Sequence, residues 1–153
     1  MKVIYLHGFA SGPNTQKVQL LKDAGFEVIA PLIPIDVVTA ESEVHYCIMN
    51  AVMSSYPSEK IVVLGTSLGG FWAARMGQYF DITTILMNPA LHPEESLKKF
   101  IGSYKNYHTG EMLELDEKTV DRYKYHPVSE EGSEFRTYFI ATKDTAIPKT
   151  TNR

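Results

Sequence analysis

Residues Ile61 to Gly77 read IVVLGTSLGGFWAARMG. The run begins with four apolar residues in succession, turns through glycines around Ser67, and continues into an apolar segment. An apolar run that does not alternate predicts a parallel strand covered on both faces. The segment after the turn predicts a deeply buried helix over Leu68–Tyr79. Gly65-Thr66-Ser67-Leu68-Gly69 fits G-x-S-x-G, the turn that lifts a nucleophilic serine above a sheet. A helix beginning at that serine would aim free N–H groups and a positive dipole end at the site, which favours a developing anion. The N–H of Leu68 is one candidate oxyanion donor. A Walker lysine and the dinucleotide pattern G-x-G-x-x-G are both missing here, so a phosphate loop is disfavoured.

Working outward, KVIYL (Lys2–Leu6) predicts a first strand that ends in the glycine-rich loop HGFASG. A helix follows over Thr15–Ala24, with Asn14 as its cap and Val18, Leu21 and Phe26 facing the core. EVIAPLIP is a second strand. A second helix spans Ala40–Ser55, where Val44, Cys47, Ile48, Ala51 and Val52 share one face. KIVVLG is the third strand and ITTILMN the fourth, followed by a short helix over Glu94–Ile101. Gly102–Glu134 is charged, tyrosine-rich and irregular, with one helix near Glu117–Tyr125. FRTYFIATKD is the fifth strand.

Strands alternating with helices predict one α/β domain with helices on both faces of a mainly parallel sheet, in the order 2-1-3-4-5. Direction reverses between the first and third strands, and ligands bind in the crevice at such a point. The loops HGFASG and GTSLGG both enter it. Phe9 is the candidate second oxyanion donor, with Gly8 allowing close approach. The plainer reading of His7 is a loop brace rather than a base.

IYLHGFASGP, VLGTSLGGFWA and MNPALHP together resemble a family of small bacterial α/β-hydrolases classed as esterases. The resemblance implies an α/β-hydrolase core, Ser67 as nucleophile, ester or thioester hydrolysis and no cofactor. It matches Asp144 to the family's catalytic aspartate, whose role is to orient a histidine. The family pattern carries that histidine on a further strand and loop beyond position 153, so the base is not evident in this sequence. His92, which follows the fourth strand, is the best internal substitute, and His108 is a second candidate. A hydrolase-fold binding module without turnover is therefore the alternative to an esterase.

The chain has 153 residues, 44% apolar and 22% charged, with net charge −3. That balance predicts a globular chain and gives no footprint for nucleic acid. One cysteine, Cys47, excludes an internal disulfide and fits a cytoplasmic setting. No apolar run is long enough to cross a membrane, and no histidine pair has metal-ligand spacing. Phe100, Tyr104, Tyr107, Tyr123 and Tyr125 of the middle region are read either as the lining of an acyl pocket under a small lid or as fasteners to the domain. The apolar TYFIA of the fifth strand would be an exposed edge, which invites pairing with a second copy or cover by the chain's own tail.

Overall fold

The computed structural model describes residues 1–130, 134, 136–142 and 145–152. The main sheet is built from β1 (Lys2–Leu6), β2 (Glu27–Ile29), β3 (Ile61–Thr66), β4 (Thr84–Met87), β7 (Arg136–Thr142) and β8 (Thr145–Asn152). Their order is β2-β1-β3-β4-β7-β8. The first five are parallel in the predicted order. β1 is central and buried along its whole length, which is why KVIYL carries no alternation.

Side chains of successive strand residues point to opposite faces. Ile4, Leu6, Val63 and Leu86 join the principal core with residues of α2 (Val37–Met53) and α3 (Leu68–Phe80). Val3, Tyr5 and Val62 are buried outside that cluster. Val18 is the one buried residue of α1 (Gln16–Asp23).

The helix starts follow local capping chemistry. Thr15, not Asn14, caps α1, its Oγ1 accepting the Val18 N–H at 3.3 Å. Asp36 caps α2, accepting the Thr39 N–H at 3.0 Å and the Thr39 hydroxyl at 2.8 Å. Those two bonds hold the Asp36 carboxyl below its ordinary pKa, and they start α2 three residues ahead of Ala40. Phe26 and Val52, assigned to the core from periodicity, are 36% and 42% exposed. Phe26 leads into β2, a three-residue edge strand.

α3 is buried from Leu68 through Ala74. Phe71, Trp72 and Tyr123 are wholly buried, with ring centroids 4.8, 5.7 and 6.1 Å apart. Burial of the Phe71 side chain alone contributes about 1.5–3 kcal/mol. Arg75 of α3 donates to Glu41 of α2 at 3.0 Å and to the Pro127 carbonyl at 2.8 Å. His126 Nδ1 lies 2.6 Å from the other oxygen of Glu41.

Two expectations change. The middle region is not irregular: β5 (Gly102–Lys105) and β6 (Met112–Leu115) form an antiparallel hairpin. α4 (Pro93–Ser96) and a short 3-10 turn at Lys98–Phe100 precede it, and α5 (Glu117–Arg122) follows. The fifth strand of the main sheet, β7, is not an edge either. β8 pairs with it antiparallel, with Tyr138 opposite Thr151 and Ile140 opposite Lys149. Of the two outcomes expected for this strand, pairing with a second copy or cover by the chain's own tail, the second is the one seen.

Candidate active site

Ser67 sits between β3 and α3 with φ 55° and ψ −117°. A non-glycine residue with positive φ is strained, and such strain persists only where the surroundings enforce it. Here they do. The Ser67 N–H donates to the Met87 carbonyl at 3.0 Å, and the Ser67 carbonyl accepts from Gly70 and Ala90, each at 2.9 Å. The turn is thus bolted to the end of β4 and to the loop after it.

The glycines allow the close approach. A Cβ on Gly65 would stand 2.1 Å from the Gly69 carbonyl oxygen, and one on Gly69 would stand 1.9 Å from the Leu6 carbonyl oxygen. α3 therefore lies directly on the end of β1. The Cβ position of Gly8 is 3.3 Å from Ser67 Cβ and 3.9 Å from Ser67 Oγ. The loop after β1 and the serine turn meet, as the switch-point argument expects.

No acceptor among the described residues takes the N–H of Phe9 or of Leu68. Phe9 is held by its ring, 4.9 Å from that of Phe100 and 4.5 Å from that of Tyr104. The β5–β6 hairpin grips the same loop twice more. Tyr107 N–H donates to the Ala10 carbonyl at 2.9 Å, and the His108 ring fills the space a Gly12 side chain would need. The hairpin turn is set by Asn106, whose Oδ1 accepts the N–H groups of His108 (2.8 Å) and Thr109 (3.0 Å).

His7 is 5% exposed. Its Nε2 accepts the Ile33 N–H at 2.9 Å, so Nδ1 carries the proton and donates to the Gly8 carbonyl at 2.9 Å. Both nitrogens are committed, and the ring ties the loop after β1 to the loop after β2. Burial, more than any other influence, lowers the His7 pKa below its ordinary 6.5. Protonation at Nε2 would also set N–H against N–H. A folded-state pKa below the unfolded one gives stability that is fully present above about 6.5 and is lost as pH falls toward the folded value. The melting temperature is expected to drop on acidification from pH 7.5 to 5 more steeply in the native protein than in His7→Gln. Equal slopes in a thermal denaturation series would remove His7 from the account.

His92 caps α4 without a side-chain hydrogen bond. Its side chain is 76% exposed and lies 3.5 Å from Glu94. His45 packs against the rings of Tyr79 and Phe80. Asp144 lies outside the described residues. Among the described residues, Ser67, Leu68, Phe9 and the His7 brace come together, and no histidine is hydrogen-bonded to the Ser67 hydroxyl.

A cavity of about 610 Å³ opens beside Leu68, Gly8 and Phe9. The loop after β1 adds His7, Ala10 and Ser11, and the other walls come from residues 32–35, from Thr39 and Glu43 of α2, and from the hairpin through Tyr104, Asn106, Thr109, Glu111 and Leu113. Of the five aromatic residues read either as pocket lining or as fasteners, Tyr104 lines the cavity. Tyr123 is a fastener: its hydroxyl donates to the Ile35 carbonyl at 2.7 Å. Tyr107 and Tyr125 are exposed. Apart from Tyr104, the walls at 32–35 and 104–113 are not among the residues the sequence singles out. The alternation in SYK and MLEL around Asn-Tyr-His-Thr-Gly is the signal that could have found the hairpin. Among the described residues no group of His, Cys, Asp and Glu could hold a metal, and no helix is long and apolar enough to cross a membrane.

This sheet order, with a strained serine turn after β3, defines the α/β-hydrolase fold. Solved structures agree. Est1E from Butyrivibrio proteoclasticus, with ferulic acid bound, aligns over 96% of this chain and 71% of its own at TM-score 0.62 and 14% identity. Tomato methylketone synthase I, complexed with β-ketoheptanoate, aligns over 95% and 80% at TM-score 0.56 and 14% identity. The chain belongs to the uncharacterised protein family UPF0227, whose profile matches residues 2–151. UPF0227 proteins of Yersinia pseudotuberculosis and Yersinia pestis are 24% identical over 124 residues, covering 80% of this chain and 66% of theirs.

Proposed function

We propose that this protein is a serine hydrolase that acts on a small carboxylic ester or thioester. The observation that carries the reading is the strained Ser67 at the start of α3, facing Gly8, with the N–H groups of Phe9 and Leu68 unoccupied beside it. In this reading the Ser67 hydroxyl attacks the ester carbonyl and those two N–H groups hold the oxyanion. Asp144 would orient the histidine that takes the serine's proton. For His92 to be that histidine, its ring must leave Glu94 and turn toward Ser67.

A fluorophosphonate probe tests the reading. The native protein is expected to be labelled, and Ser67→Ala is not. If His92 is the base, His92→Ala slows the labelling; an unchanged rate assigns the base elsewhere. The second reading, a binding module without turnover, is favoured by the lack of a histidine bonded to Ser67 among the described residues. A native protein that is neither labelled nor active on p-nitrophenyl acetate would decide for it.

A further inference from the structure

We propose that the cavity walled by Gly8, Phe9 and Leu68, next to the serine turn, takes an uncharged apolar acyl group, and that Glu43 and Glu111 turn away acyl groups ending in a carboxylate. The assignment of the acyl end to this cavity rests on the serine hydrolase reading, because the cavity is walled by the two residues that would hold the oxyanion. Its surface is mainly apolar, from Phe9, Leu32, Ile33, Pro34, Ile35 and Leu113. No lysine or arginine is among its walls. The one imidazole in it, His7, is kept neutral by burial and has both nitrogens engaged. An anion leaving water here finds no cation to replace its hydration.

The two carboxylates reach the cavity from different elements. Glu43 comes from α2, and Glu111 from the end of the hairpin turn. Neither is in an ion pair among the described residues. The charge of Glu43 is felt inside the fold: after burial, it is the second cause of the raised pKa of the Cys47 thiol. An acyl chain ending in a methyl group meets apolar wall, whereas the same chain ending in a carboxylate meets like charge. Selection by exclusion of the wrong ligand needs no new attractive contact.

Butyranilide and succinanilic acid test this directly. They are amides of the same length that differ in a terminal methyl or carboxylate, and their binding is read by equilibrium dialysis without turnover. Butyranilide is expected to bind about tenfold tighter at low salt, the size of one modest charge interaction. The gap should narrow as salt rises, because both carboxylates are near the surface. The double variant Glu43→Gln/Glu111→Gln should narrow it several-fold at low salt. Equal binding of the two anilides, no saturable binding of butyranilide, or a gap unchanged in the double variant overturns the proposal. Failure of Ser67 to label, with selective binding intact, overturns the hydrolase reading and leaves the charge selection standing.

Discussion

Ser67→Gly is expected to abolish fluorophosphonate labelling and, at the same time, to stabilise the protein. The first effect follows from the proposed chemistry, since glycine has no hydroxyl to attack. The second follows from the backbone. Ser67 is held at φ 55° and ψ −117°, where a side chain costs about 1–3 kcal/mol and glycine costs little. Glycine loses more freedom on folding, which returns roughly 0.5–1 kcal/mol of that gain. The net is a rise of about 1 kcal/mol, or some 2–4 °C in melting temperature for a chain of this size. Calorimetry of Ser67→Gly beside Ser67→Ala separates the two effects, because alanine removes the hydroxyl and keeps the strain. A glycine variant no more stable than the alanine variant would show that the turn stores no strain.

Gly69→Ala is expected to prevent normal folding. The added methyl would stand 1.9 Å from the Leu6 carbonyl oxygen and 2.6 Å from that of His7. Both obstacles are backbone of the central strand and its loop, so no side chain can rotate away. α3 would have to lift off β1 and carry Phe71 and Trp72 out of register with the core. Overpacking usually costs about 1–3 kcal/mol where side chains can yield, and the cost here should exceed that range. A typical domain has only about 5–15 kcal/mol in hand. Loss of the near-ultraviolet circular dichroism of the packed aromatic residues is the readout. A Gly69→Ala protein with native spectrum and melting temperature would refute the close approach of helix and strand.

The same two positions show what a sequence discloses. Gly65, Ser67 and Gly69 lie within one turn, so their pattern is local and can be read along the chain. The parallel sheet is legible for a similar reason, since buried strands such as IVVLG need no information from elsewhere. The start of α2 is less so. Val37, Val38 and Thr39 look like strand residues, and the helix takes them in with the carboxylate of Asp36 closing on Thr39 and Val37 buried in the core. Phe26 and Val52 depart from expectation because periodicity tells which face a residue shares, not whether anything covers that face. The cavity is the least legible. Its walls at 32–35 and 104–113 are far apart in the chain, and they become neighbours only when His7 reaches Ile33 and the hairpin closes on Phe9.

The hairpin that closes the cavity continues into α5, and this continuation has a kinetic meaning. Leu115, Val120 and Tyr123 are 2% exposed or less, and the Tyr123 hydroxyl is bonded across 88 residues to Ile35. Swinging the segment outward as a unit would pull those groups from the centre of the molecule and leave the Ile35 carbonyl unpaired. Its detachment is therefore coupled to unfolding of the whole, and its anchoring amides belong with the slowest to exchange. A wall fastened in this way does not act as a gate: the cavity stands open in the resting molecule, and a ligand can enter without waiting for the segment to move.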